Sequence, residues 1–125
     1  MADAPLQGSR ILIVEDEYLL ADDLANALTD AGAEVVGPLG SVEEGLALIA
    51  VDRFIDAAVL DVNLRGDMVF PVADALRSHG IPFAFATGYD EWALPDRFAD
   101  APHVGKPFKS HLVERVLTDL LASVA

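Results

Sequence analysis

Residues 10–17 read RILIVEDE and join a short apolar run to three consecutive acids. A continuous run of apolar and β-branched residues is typical of a strand that is buried on both faces of a parallel sheet. Leu20, Leu24 and Leu28 then recur at helical spacing, and Gly32 stands where a left-handed residue would end the helix. The stretch therefore predicts a strand with an acidic end, followed directly by a helix.

The same order of strand and then helix recurs along the rest of the chain. Ser41 and Glu44 form a capping box that predicts a second helix. Pro71 suits the first turn of a third helix, and Ser110 is expected to cap the last one. Pro95 interrupts the segment that should hold the fourth helix, which is therefore expected to be short or irregular. The other predicted strands are residues 34–37, 57–60, 83–86 and 103–104.

Five strand-then-helix units predict an α/β fold with a doubly wound, five-stranded parallel sheet of the flavodoxin-like type. The chain has 125 residues, the size of one ordinary domain. We expect that domain at 10–122, after an N-terminal extension (1–9) and before a short tail (123–125), with no output domain. The hydrophobic content of 53% suits a sheet covered by helices on both faces.

The charge balance and the lack of cysteine narrow the possible partners and compartments. With 8 basic and 21 acidic residues the net charge is −13, which disfavours binding to nucleic acid or to a membrane surface. No apolar run approaches the ~18 residues of a membrane span, and the first residues lack a signal pattern. The chain has no cysteine, which excludes disulfides and thiolate metal sites. These features predict a cytoplasmic protein.

Polar residues stand at the end of four of the predicted strands. Glu15 and Asp16 follow the first strand, Asp61 the third, Thr87 the fourth and Lys106 the fifth. Because the carboxyl ends of parallel strands meet at one edge, these side chains should converge on one crevice. Carboxylate oxygens are ligands that Mg²⁺ accepts, and it leaves room for a phosphoryl oxygen. The pattern indicates phosphoryl transfer, with Asp61 as nucleophile.

Each of these residues also has an ordinary structural explanation. The two acids could start a helix, where the macrodipole favours them. Asp61 and Thr87 could cap loops, and Lys106 could be a surface lysine. Their joint placement at four strand ends favours the functional interpretation.

The motifs that carry this pattern are VED (14–16), LDVNL (60–64), ATG (86–88) and KPF (106–108). Together they resemble the receiver domains of two-component response regulators, over residues 10 to about 122. The resemblance implies a phosphoprotein in a phosphorelay. It would accept a phosphoryl group from a histidine kinase or a histidine phosphotransfer protein in a Mg²⁺-dependent reaction.

The resemblance also implies a role for each site residue. Asp61 would be the phosphoacceptor and, with Asp16, a metal ligand. Glu15 would support the metal, and the backbone carbonyl of Asn63 would be another ligand. The family would thus place Mg²⁺ beside the acceptor carboxylate.

For the phosphoryl group itself, the resemblance assigns Thr87 and Lys106, and it implies a cis bond between Lys106 and Pro107. Phosphorylation would rearrange the face formed by residues 87–109. The chain would work as a single-domain response regulator, a monomer or weak dimer that promotes its own phosphorylation and dephosphorylation without an output enzyme.

The run PFAFATGY (82–89) resembles the "FAT GUY" group of alphaproteobacterial receivers, whose partners include HWE-type histidine kinases. Receivers usually carry Tyr or Phe three residues before the lysine of the KPF motif, whereas this chain has His103 there. His103 could also be an ordinary half-buried strand residue. We expect Tyr89 to replace part of the missing aromatic switch, and Trp92, His103 and Phe108 to belong to the switch or partner surface.

Other classes of protein use parts of the same pattern. A phosphohydrolase of the haloacid dehalogenase type also has a strand-end Asp nucleophile, but its general acid two residues later would here be Asn63. A flavodoxin-like nucleotide module would need a phosphate loop after the first strand, where EDEYLL repels phosphate. A receiver that is never phosphorylated would be less consistent with the intact set of acids, Thr87 and Lys106.

Overall fold

A computed structural model describes residues 4–88 and 94–123 of the chain. Its central feature is a five-stranded parallel sheet. The strands of that sheet are β1 (Arg10–Val14), β2 (Glu34–Leu39), β3 (Ala57–Asp61), β6 (Phe83–Thr87) and β7 (His103–Gly105), and a small hairpin consists of β4 (Asn63–Leu64) and β5 (Asp67–Met68). The helices are α1 (Tyr18–Asp30), α2 (Val42–Val51), α3 (Phe70–Ser78) and α4 (Ser110–Ala122), with a 3-10 helix at Asp96–Phe98.

The strands lie in the order β2-β1-β3-β6-β7. Helices α1 and α4 pack on one face of the sheet, and α2 and α3 pack on the other. Alternate residues of β1 enter opposite cores: Ile11 and Ile13 pack on the α1 and α4 side, and Leu12 and Val14 on the other. Burial on both faces explains why this strand is a continuous apolar run. The predicted doubly wound sheet is confirmed.

Several predicted helix signals have the expected geometry. The Glu44 N–H donates to Ser41 Oγ over 3.1 Å, so Ser41 caps α2 as predicted, while Glu44 Oε1 accepts from the Gly40 N–H, one residue before the cap, instead of from the Ser41 N–H. Gly32 follows α1 with a φ of +97°, in the left-handed region. The prediction for Ser110 is wrong, because Ser110 is the first residue of α4 and Lys109 takes the cap position.

Strand β2 is longer than the predicted 34–37. Leu12 pairs with Val36 but Val14 pairs with Leu39, so β2 accommodates one extra residue at a bulge. Gly37 has a φ of +96°, and a Cβ there would lie 2.9 Å from the carbonyl oxygen of Ile13. Only glycine fits this close approach without a shift of backbone.

The segment after β6 contains the 3-10 helix in its described part. Phe98 is completely buried, and Arg97 holds both carboxylate oxygens of Asp74 in α3 at 3.0 Å. The Arg77 guanidinium lies 5.0 Å from the Phe98 ring centroid, within the range of a cation–π contact. These contacts join the segment to α3. The irregular fourth helix predicted here also falls on residues 89–93, which lie outside the described residues.

The residues before β1 also pack against the domain. Leu6, in the predicted N-terminal extension, is completely buried, and its N–H donates to the carbonyl oxygen of Ala31 over 2.9 Å. Across residues 4–88 and 94–123, no helix is long and apolar enough to cross a bilayer.

Candidate functional site

The candidate site lies at the carboxyl edge of the sheet, where the strand order reverses between β1 and β3. Val14 pairs with Leu60, so Glu15 and Asp61 come next to each other at the ends of two adjacent strands. A cleft of about 490 Å³ opens at this edge. Its lining includes Asp16, Asp61, Asn63, Met68, Thr87 and Lys106.

A buried ion cluster forms the floor of the site. The Lys106 Nζ atom lies 3.0 Å from Asp61 Oδ1 and 3.1 Å from Glu15 Oε1. Glu15 and Asp61 are only 4% and 7% exposed, so both carboxylates depend on protein groups rather than water for their stabilisation. The carbonyl oxygen of Thr87 accepts the Lys106 N–H over 3.0 Å, which fixes the lysine backbone beside β6.

The electrostatics of the cluster follow from this burial. Burial raises the pKa of the Asp61 carboxyl to about 7; the Glu15 carboxylate adds to the rise, and the Lys106 ammonium opposes it. Burial alone would lower the pKa of Lys106, but its contacts with Asp61 and Glu15 outweigh that effect and raise it. Two carboxylates thus share one ammonium, and a further cation would relieve their repulsion.

The residues present fit a hard divalent cation. Carboxylate oxygens of Glu15, Asp16 and Asp61 all lie within 4.8 Å of one another. Glu15 Oε1 is completely buried and accepts no hydrogen bond from any described residue. Its 3.1 Å contact with Lys106 Nζ is an ion pair without hydrogen-bond angles. A buried oxygen with unused acceptor capacity, beside two further carboxylates, suits an oxygen-binding metal.

Asn63 has a structural role that the sequence did not reveal. Its side-chain Oδ1 accepts the Gly66 N–H over 2.7 Å and so braces the turn between β4 and β5. Its own N–H points to Asp61 Oδ1 at a long 3.4 Å. Residues 63–68 therefore form a hairpin, and Asn63 joins that hairpin to the candidate acceptor.

Sequence reasoning also missed Arg65, which reaches the site from the hairpin turn. Its Nε lies 3.4 Å from Asp16 Oδ2, with the arginine side chain 81% exposed and the aspartate 14%. Arg65 has a φ of +55°, a conformation uncommon for a residue with a side chain. Arg65 and Asp16 are 49 positions apart in the sequence, so only the folded hairpin reveals the pairing.

The remaining predicted site residues lie at different places. Thr87 ends β6, is 7% exposed and lines the same cleft as Asp61. His103 lies in β7 with its ring centroid 6.3 Å from that of Phe85, and its buried Nε2 has no hydrogen-bond partner among the described residues. Phe108 is half-buried against the core on the α1 and α4 side.

Two of the switch predictions cannot be placed. Tyr89 and Trp92 lie outside the described residues. The bond between Lys106 and Pro107 is cis, as the resemblance implied.

A scan against protein-family models gave no match. Among curated proteins, the chain is 33% identical over 112 residues to the sensory transduction protein LytT of Bacillus subtilis, covering 86% of this chain and 46% of LytT. The chain spans about half the length of the curated relatives it matches.

Solved structures provide fuller matches. SdrG from Sphingomonas melonis is 44% identical with a TM-score of 0.81, over 90% of this chain and 96% of SdrG. SdrG in its BeF3-activated conformation matches at 42% identity and a TM-score of 0.77, over 97% and 99% of the two chains. A response regulator receiver protein from Sinorhizobium medicae matches at 26% identity and a TM-score of 0.81, over 96% and 99%. The five-stranded parallel sheet, the ion cluster at its carboxyl edge and these relatives all agree. The chain belongs to the receiver domains of two-component response regulators.

Proposed function

We propose that Asp61 is the phosphoacceptor of this receiver domain and takes its phosphoryl group from a histidine of a kinase or phosphotransfer protein. The observation that carries the proposal is the Asp61 carboxylate itself, which is buried but faces an open cleft and lies 3.0 Å from an ammonium group. A donor can enter the cleft, and the product charge meets a cation already in position.

In the proposed reaction the Asp61 carboxylate attacks phosphorus and forms an O–P bond. The N–P bond of the phosphohistidine breaks, and the imidazole nitrogen keeps the bonding electron pair and takes up a proton. Lys106 stabilises the negative charge of the transferring group, and the Thr87 hydroxyl at the same cleft can donate a hydrogen bond to it.

Magnesium is the metal we assign to Glu15, Asp16, Asp61 and the Asn63 carbonyl, and when bound it would neutralise carboxylate and phosphoryl oxygens. The buried Glu15 Oε1, which accepts no hydrogen bond from any described residue, supports this assignment. In this proposal the chain promotes its own phosphorylation and dephosphorylation and is not a turnover enzyme.

Phosphorylation would replace the single negative charge of the Asp61 carboxylate with the about 1.5 to 2 negative charges of a phosphoryl group, beside the Lys106 ammonium. Thr87 ends β6 and precedes the segment that leads to the 3-10 helix, so a shift of its hydroxyl toward the phosphoryl group would be passed to the 87–109 face. The BeF3-activated conformation of SdrG supports such an activated state for a close relative in sequence.

Several finer predictions stay predictions. They are an HWE-type kinase as donor, a monomeric or weakly dimeric state, a cytoplasmic location, and switch or partner roles for Tyr89, Trp92, His103 and Phe108.

The geometry gives no support to the phosphohydrolase alternative. Asn63 holds the position of the required general acid, and an amide cannot donate a proton to a leaving group. Its side chain is also engaged by the Gly66 N–H at 2.7 Å. The relatives and structures reported above include no phosphohydrolase.

Intact mass spectrometry after incubation with acetyl phosphate tests the proposal. The wild type should gain one phosphoryl group with Mg²⁺ and none with a chelator, and Asp61→Asn should gain none. Asp23→Asn removes an exposed α1 carboxylate and serves as the matched control, which should react as the wild type does. Equal labelling of Asp61→Asn and the wild type would exclude Asp61 as the acceptor.

A further inference from the structure

Arg65 occupies a fixed position at the tip of the β4–β5 hairpin. Leu64 pairs with Asp67, which leaves Arg65 and Gly66 as a two-residue turn. Both have positive φ values, of +55° and +96°, the pattern of the type I′ turn that suits tight hairpins. Arg65 therefore stands at a turn position that its own side chain does not favour.

The hairpin is anchored on both sides of this turn. Leu64 is buried in the core, the Gly66 N–H binds the Asn63 side chain, and the Val69 N–H donates to the Val62 carbonyl oxygen over 2.9 Å. These anchors fix the position of the Arg65 backbone at the tip of the hairpin. The guanidinium then reaches Asp16 Oδ2 at 3.4 Å and borders a second cleft lined by Glu15 and Asp16.

The only charged partner of Asp16 among the described ion pairs is Arg65. The same carboxylate belongs to the three-acid group that suits a divalent cation. Two positive charges cannot share this carboxylate without repelling each other.

We propose that Arg65 is a built-in competitor of the divalent cation for Asp16 and so sets the metal affinity of the site. The inference rests on the proposed metal site. Binding of the cation requires Arg65 to give up Asp16, and the exposed arginine can swing into solvent when it does so. The hairpin thereby lowers the affinity of the site for the cation.

The size of the effect follows from the exposure of Arg65. Exposed ion pairs are weak, so removing this competitor should tighten Mg²⁺ binding about two- to fivefold. The difference should shrink at high ionic strength, because salt screens an exposed pair more than the buried cluster below it.

Isothermal titration with MgCl₂ measures this competition directly in the whole chain. Arg65→Gln removes the charge and keeps a long polar side chain, whereas Arg65→Lys keeps the charge. The matched control is Arg53→Gln, which removes one exposed positive charge just before β3, at the opposite edge of the sheet. We expect a lower Kd for Arg65→Gln, and values near the wild type for Arg65→Lys and Arg53→Gln.

Each result has a defined meaning. An unchanged or higher Kd in Arg65→Gln overturns the inference, as does an equal decrease in Arg53→Gln, which would reflect net charge alone. If the wild type binds no Mg²⁺, the proposed metal site fails together with the inference. Urea unfolding with a chelator shows that Arg65→Gln is folded; loss of the pair should lower its stability slightly, which by itself would not tighten metal binding.

Discussion

Replacing Asp61 by asparagine is expected to stabilise the metal-free protein near and above neutral pH. Asp61 is buried beside Glu15 and has its pKa raised to about 7. A carboxyl group with a raised pKa in the folded state destabilises the fold when it ionises. Its contribution to stability is thus fully present below the unfolded-state pKa near 4 and is lost as the pH rises to about 7. Asparagine has no such ionisation.

The size of the expected change in the free energy of unfolding follows from the pKa shift of Asp61. The pKa of Asp61 rises from 3.8 to about 7 in the folded state. Because one pKa unit corresponds to about 1.36 kcal/mol, ionisation of Asp61 destabilises the folded state by about 4 kcal/mol. The variant loses the Lys106 contact with Asp61 Oδ1 and thereby some of this gain. We therefore expect its free energy of unfolding to exceed that of the wild type by about 2–4 kcal/mol at about pH 8, and by less at about pH 5.

Urea unfolding with a chelator at these two pH values measures the difference. Asp23→Asn, which removes an exposed acid, should stay within about 0.5 kcal/mol of the wild type at both. Mg²⁺ should stabilise the wild type and have little effect on Asp61→Asn. A variant less stable than the wild type at about pH 8, or a difference that does not change with pH, would refute the reasoning.

Three further substitutions probe separate parts of the structure by urea unfolding. Lys106→Gln leaves two buried carboxylates without their ammonium and should lower the free energy of unfolding by about 3–5 kcal/mol at about pH 8. A loss no larger than that of an ordinary surface substitution would contradict the claim that Lys106 stabilises these carboxylates. Gly37→Ala forces a Cβ against the Ile13 carbonyl and should lower the free energy of unfolding more than Gly80→Ala, where φ is also positive but nothing lies within 4 Å. Equal losses would show that the positive φ, and not the contact with Ile13, determines the effect. Ser41→Ala removes the side-chain cap of α2 and should cost about 1 kcal/mol; no loss would argue against this cap.

The sheet and the acidic edge could be predicted because each depends on local sequence. Strands buried on both faces are continuous apolar runs, as in β1 and β3, and a parallel sheet brings their carboxyl ends to one edge. Asp61 and Lys106 therefore converge although 45 positions separate them in the sequence. The cap of α2 could be predicted for the same reason, because Ser41 and Glu44 are only three residues apart.

The features that were missed depend on tertiary contacts or on unusual backbone. Pro38 argues against a longer β2, yet the Gly37 bulge lets the strand continue to Leu39. The hairpin turn has Arg65 at a position where Asn, Asp or Gly is usual, so its sequence does not predict a type I′ turn. The contact between Arg65 and Asp16 depends on where that hairpin lies in the fold, and no local sequence pattern predicts it.

The site of phosphorylation tests the central claim most directly. Borohydride reduction converts an aspartyl phosphate to homoserine, so peptide mass spectrometry after phosphorylation by acetyl phosphate and reduction reports which carboxyl group carried the phosphoryl group. We expect homoserine at position 61 in samples with Mg²⁺ and unmodified aspartate there in samples with a chelator. A phosphoryl group on another residue, or labelling that does not depend on Mg²⁺, would contradict the assignment of Asp61 and the acidic cluster around it.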